Sequence, residues 1–175
     1  IVSIGADFLD RMPGSVQLEH QYVKGRNPEN AWMSKHFQFE STMSLTGSNA
    51  DVRVPVKLSE QAKVVLELHN YLASKTGNPS LKSVKSVVSD KVKMAGDHLI
   101  AHKGESIVLS GLNDKHVQLV VNAINNMLGN YGQTLDINKP SYLRKGLDSE
   151  VKALMAEMKS GSVDALIINE ANPVY

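Results

Sequence analysis

Ser106-Ile107-Val108-Leu109-Ser110, then Gly111-Leu112-Asn113-Asp114, then an apolar-striped run from Lys115 to about Leu128: this stretch decides the fold. The first five residues carry the β-branched and aliphatic side chains of a buried strand, and the next four are turn-formers. Val117, Val120, Val121, Ile124 and Leu128 then recur at three- and four-residue spacing, which predicts a helix with one face in a core. Gly129-Asn130-Tyr131-Gly132 ends that helix, and Thr134-Leu135-Asp136-Ile137 reads as another strand. Asp148 or Ser149 caps a further helix through Lys159, Gly161 closes it, and Asp164 to Ile168 reads as the last strand.

Toward the amino end the alternation continues. Ile1 to Ile4 is the first strand, followed by Gly5-Ala6-Asp7 and, after Pro13-Gly14, a helix over Val16 to Lys24 capped by Ser15. Phe37 to Glu40 reads as a second strand and Val52-Arg53-Val54 as a third, which Pro55 places at an edge because proline cannot donate to a ladder. Ser59 caps the next helix, Ala62, Val65, Leu68 and Leu72 form its stripe, and Thr76-Gly77-Asn78-Pro79 stops it. Another helix is expected over Leu81 to Ala101, weakened in its middle by Gly96. The fold class is therefore α/β: a mostly parallel, doubly wound, Rossmann-like sheet with helices on both faces. We expect residues 1–175 to form one domain, with 1–77 and 78–175 as two halves packed together.

The chain has 175 residues, a formal net charge of +1, 42% hydrophobic and 21% charged residues, and no cysteine. A chain of this size buries roughly 70% of its unfolded surface without staples. The absence of thiols excludes disulfides, cysteine-ligated iron–sulphur clusters, zinc fingers and thiol nucleophiles within this chain. No apolar run reaches the ~20 residues that span a bilayer, so direct membrane insertion is not expected. Near-zero net charge argues against nucleic acid as a partner, and the lysines from Lys75 to Lys103 read as a solvated helix face. The chain opens on the strand-like Ile1-Val2-Ser3-Ile4-Gly5 without an initiator Met and stops just after the run Ala165-Leu166-Ile167-Ile168, so both ends are expected to be cut from a longer protein.

In open parallel sheets the ligand crevice lies beyond the carboxyl ends of the strands. Gly5-Ala6-Asp7, Glu40-Ser41-Thr42, Gly111 to Asp114, Ile137-Asn138-Lys139 and Asn169 to Pro173 occupy those places. Their small, polar character suits a nucleotide-like ligand, and it is equally what strand-to-helix turns require. Neither G-x-G-x-x-G after the first strand nor G-x-x-x-x-G-K-[ST] occurs, so an ordinary dinucleotide or ATP cradle is not supported. Thr46 to Asp51 reads as a polar loop. His98 and His102 stand one helical turn apart, but no third metal ligand can be named, and no metal site is expected. His20, His36, His69 and His116 are scattered and read as surface or capping histidines, and Met127, Met155 and Met158 as core filler. No nucleophile–histidine–carboxylate order stands out, and no catalytic residue is assigned.

Ile1 to Leu9, Phe39 to Asp51, Ile124 to Gly132, and Met158 to Ile168 with Asn172-Pro173-Val174-Tyr175 together resemble the molybdopterin oxidoreductase family. They are most similar to the molybdopterin-like part of the large iron–sulphur subunit of alternative complex III, a bacterial quinol-oxidising membrane complex. The strings Thr46-Gly47-Ser48-Asn49-Ala50-Asp51 and Gly161 to Ile168 with Asn172-Pro173 carry most of the likeness, which runs in order along nearly the whole chain. Cofactor-bearing relatives hold the guanosine ends of a molybdopterin guanine dinucleotide in loops after the strands. Carried over, the cofactor-binding positions are Gly5, Asp7, Glu40, Ser41, Asp51, Gly111, Glu170 and Asn172. Relatives usually have Asn where Asp7 stands, and a carboxylate there repels a pyrophosphate. Glycine commonly precedes Asn-Pro in the final loop, where this chain has Asn169-Glu170-Ala171.

The resemblance implies a cofactor-free scaffold domain of a membrane-associated respiratory oxidoreductase. It further implies the periplasmic side of the inner membrane, iron–sulphur clusters elsewhere in the parent protein, and other domains and subunits of the complex as partners. Two alternatives stand beside it: a functional molybdopterin guanine dinucleotide-binding domain of a molybdenum enzyme, and a stand-alone small-molecule or nucleotide-binding module.

Overall fold

A computed structural model describes residues 1–142 and 146–172; the Pro173-Val174-Tyr175 end of the likeness noted above lies outside the described residues. The chain divides into two compact units, Ile1–Pro140 and Ser141–Tyr175. Val2–Ile4 (β1), Phe37–Glu40 (β2), Val52–Pro55 (β3) and Val108–Ser110 (β4) form one all-parallel sheet in the order β3-β2-β1-β4. Parallel neighbours require crossovers. These are Ser15–Lys24 (α1) after β1, the single turn Leu45–Ser48 (α2) after β2, and Leu58–Thr76 (α3) with Ser89–Ala101 (α4) after β3. Lys115–Met127 (α5) follows β4. The α/β class read from the sequence is thus the observed one, and β3 lies at an edge with Pro55 at its end.

Side-chain alternation assigns the two faces of the sheet. Val2, Ile4, Phe37, Phe39, Val54 and Val108 point into the main core, where Val64, Val65, Leu68 and Leu72 of α3, Val92 and Leu99 of α4, and Val117, Val121 and Ile124 of α5 meet them. The other face packs Phe8, Leu9 and Tyr22 with Ile1, Leu18 and Leu109, which brings α1 to the opposite side. α4 crosses α3 closely because position 96 is glycine: a Cβ there would overlap the Tyr71 ring. The residue that weakens the helix locally is the one that lets it pack.

Several boundaries differ from the expectation, each for a local reason. The helix expected from Leu81 begins only at Ser89. Residues 81–88 are instead tied to the side of α3, where Asn70 Oδ1 accepts from Leu81 N and Glu67 Oε2 from Ser86 N; these side chains satisfy backbone donors that a helix would otherwise use. Thr134 to Ile137 is not a strand, apart from an isolated bridge between Tyr131 and Leu135. The Asn130 carbonyl accepts from the amides of Gln133, Thr134 and Leu135, folding the segment into a turn. Gly14, in the left-handed region, precedes α1 in place of a Ser15 cap, while Ser59 lies inside α3.

In the second unit, Asp148–Ser160 (α6) ends at left-handed Gly161 as expected, with Asp148 and Ser149 inside the helix. Residues 164–168 form no strand, and Ile167 is 93% exposed. An apolar run becomes a strand only where a neighbour takes its backbone groups. Met155 and Met158 are exposed rather than core filler, whereas Met127 does pack against the core. No described helix is long and apolar enough to cross a membrane.

Candidate functional site

The strand order reverses between β1 and β4, since β1 leads outward to β2 and β3 on one side while β4 joins on the other. The loops leaving β1 and β4 diverge to opposite faces at such a point and open a crevice beyond the carboxyl ends. Here it has a volume of about 710 Å³ and is bordered by the loops after β1, β2 and β4 and the first turn of α3. Gly111 is required at its base. Gly111 N donates to Ile4 O at 3.0 Å, and a Cβ on Gly111 would overlap the Gly5 carbonyl. Gly5 itself has φ +65°, a region that disfavours other residues.

Of the residues singled out by resemblance, Gly5, Asp7, Glu40, Ser41 and Gly111 line this one crevice. Asp51 does not. It precedes β3 at the amino end of the sheet, where Oδ2 accepts from Arg26 Nη1 at 2.6 Å and His36 N at 2.7 Å. Glu170 (φ +50°) and Asn172 belong to the second unit.

The carboxylates in the crevice are engaged by the chain's own loops. Asp7 Oδ1 accepts from Thr46 Oγ1 at 2.7 Å and Thr46 N at 3.2 Å, and Thr46 Oγ1 in turn accepts from Leu9 N. Glu40, 4% exposed, accepts from Arg53 Nε at 2.5 Å, Ser44 Oγ at 2.6 Å, Ser44 N at 3.3 Å and Gln38 Nε2 at 3.2 Å. Burial pushes the Glu40 pKa up, but the bonds from Ser44, Arg53 and Gln38 outweigh it and hold the carboxyl below its usual range. The expected polar loop from Thr46 is therefore the single turn α2, whose Ser44 cap accepts from Gly47 N and whose first turn is pinned to Asp7 and Glu40.

A second buried network fills the amino end. His36 and His69 are both buried, contrary to the surface reading, and His36 stacks edgewise among Phe8 and Tyr22. Tyr22 Oη donates to Asn49 O at 2.9 Å and lies 3.2 Å from His36 Nδ1, while Arg26 covers the Tyr22 ring. Burial lowers the His36 pKa to about 4, so the imidazole is neutral at pH 7. Asp51 is held low as well: burial opposes ionisation, but the bonds from Arg26 and the His36 amide prevail. Nothing in composition marked His36 as a core residue; the signal was its position directly before the alternating strand Phe37 to Glu40.

His98 rests its ring on Phe37 at 5.3 Å and His102 follows the end of α4. Among the described residues no three histidine, aspartate or glutamate side chains converge as a metal-holding group. The arrangement at the crevice disfavours anions and can hold hydrogen-bond donors. When the chain is compared with known proteins, no family model matches it and no curated protein does.

Proposed function

We propose that this chain is a molybdopterin-oxidoreductase-like domain of a membrane-associated respiratory oxidoreductase, and that it is a cofactor-free scaffold. In that role it presents docking surface to other domains of its parent chain and to subunits of the complex, on the periplasmic side of the membrane. The parent complex oxidises quinol through redox centres carried elsewhere. The observation that carries the cofactor-free reading is that the strand-end loops cap themselves. The Thr46 and Ser44 amides and hydroxyls, which a phosphate or guanosine would need, are bound by Asp7 and Glu40. A dinucleotide pterin would have to displace these bonds and place its pyrophosphate beside carboxylates. The ordered likeness from Ile1 to Asn172 supplies the respiratory context.

A second reading, a functional pterin dinucleotide-binding domain, is favoured by the roughly 710 Å³ of the crevice and by the close Gly5–Gly111 approach at its base. Calorimetric titration of the chain with molybdopterin guanine dinucleotide separates the two. The scaffold reading expects no saturable heat; micromolar affinity would replace it with the second.

A further inference from the structure

Gln61 stands on the first turn of α3 with its carboxamide laid over Gly5. Oε1 lies 2.5 Å and Nε2 3.4 Å from the point a Gly5 Cβ would occupy. The residue is 2% exposed and borders the crevice, yet among the described residues nothing hydrogen-bonds its side chain. Beside it Gln38, fully buried and also bordering the crevice, leaves Oε1 without a hydrogen-bond partner among the described residues. A buried polar atom left so costs about 1–3 kcal/mol, and groups so placed are ordinarily satisfied by a ligand or water. Elsewhere in the crevice the unfilled capacity is also for accepting. Asp7 Oδ2 has only Arg11 Nε at 3.9 Å, and the Asp10 carboxylate only the same nitrogen at 4.0 Å. The Arg11 side chain is 85% exposed, so solvent screens both contacts. Gln61 can give or take a hydrogen bond, and both carboxylates can only take one.

We propose that the crevice binds a small, donor-rich cation, an alkyl guanidine or alkyl diamine, in the space that Gln61, Asp7 and Asp10 border. A guanidinium presents several N–H donors in a plane to carboxylate and carboxamide oxygens. The Asp7, Asp10 and Glu40 charges that disfavour phosphate favour such a group. The inference goes beyond the scaffold reading, which concerns only the pterin cofactor.

The test is titration of the 175-residue chain with agmatine and putrescine, followed by amide chemical shifts at Gly5, Gln61 and Gly111, with GMP as the anionic probe. Agmatine is expected to bind at least about tenfold more tightly than GMP. Gln61→Leu is expected to weaken it about tenfold, and the exposed Asp10→Asn about threefold at low salt, with thermal melts confirming both folds. Failure of agmatine and putrescine to bind by about 10 mM, or equal agmatine affinities in wild type and both variants, would overturn the inference. Silence toward agmatine, putrescine and nucleotide alike removes this inference and leaves the scaffold reading standing. Micromolar GMP binding without agmatine removes both.

Discussion

The two ends of the parallel sheet each carry a carboxylate paired with an arginine, Asp51 with Arg26 at the amino end and Glu40 with Arg53 at the carboxyl end. Asp51 is itself partly solvated, but Tyr22, Phe8 and His36 pack their rings against one another beside it. None of these residues borders the pocket of about 700 Å³ that opens elsewhere at the amino end, between Ile1, Lys35, Phe37 and Ile107. Around Glu40 the same kind of pair sits at the wall of an open crevice, beside Gln61, Ser41 and Asn113. The chemistry of the pairs is alike, and what differs is the topology. The loop before β3 is folded back onto the end of α1 by the Arg26–Asp51 pair, while the loops at the carboxyl ends of β1 and β4 part. The same kind of charged pair is therefore a cross-link beside a ring cluster at one end and part of the wall of an open crevice at the other.

The largest effect is expected where the carboxyl-end loops touch. Gly111→Ala should cost about 3 kcal/mol or more in urea unfolding, because its Cβ meets the Gly5 backbone, which cannot rotate away as a side chain could. A cost below about 1 kcal/mol would mean that the two loops are not held together as described.

The amino end should dominate the response to acid. His36 has a folded pKa of about 4 against an ordinary 6.5, so the unfolded chain takes up its proton first. Stability is then lost as pH falls from about 6.5 to 4, by up to about 3 kcal/mol from this group. Glu40 and Asp51, both held low, add further loss at the acid end of that range and below it, with the same sign. His36→Gln should flatten the slope between pH 6.5 and 4, read from unfolding midpoints across pH; an unchanged slope would place the acid sensitivity elsewhere.

Asp51→Ala should follow at about 2 kcal/mol, since it leaves the His36 amide and the Arg26 guanidinium without their shared acceptor in a partly solvated site. At the carboxyl end, Ser41→Ala should shift stability by less than about 0.5 kcal/mol, because Ser41 is exposed and borders the crevice without supporting its walls. A larger loss there would erase the distinction between the two ends.

Much of this was legible in the sequence where one periodicity governed. Phe37 to Glu40 and Val52 to Val54 were read nearly to the residue, and Pro55 placed β3 at an edge. The helix from Lys115 was equally clear, because Asp114 caps it by accepting from His116 N and Val117 N and its stripe faces one core. The failures came where a distant side chain took over the backbone. Residues 81–88 carry a helical stripe, but Glu67 and Asn70 hold their amides. Thr134 to Ile137 has strand composition, but one carbonyl, that of Asn130, gathers its donors. In the candidate site, local reading found Gly5, Asp7, Glu40, Ser41 and Gly111, because position after a strand is a property of the sequence. The family resemblance, not the local reading, placed Asp51 with them, although Asp51 stands before its strand. The local reading passed over Gln61, whose importance comes from Gly5, 56 positions away in the chain and in contact only once the sheet has formed.

On the scaffold reading proposed above, charge at the carboxyl-end loops excludes the phosphate-bearing ligand that this topology would otherwise hold. Titration of GMP into the wild-type chain and into Asp7→Asn, which keeps an oxygen to accept from Thr46 but removes the charge, tests it directly. No saturation of the wild type by about 1 mM and at least about tenfold tighter binding by Asp7→Asn are expected. Micromolar affinity in the wild type, unchanged by Asp7→Asn, would contradict it.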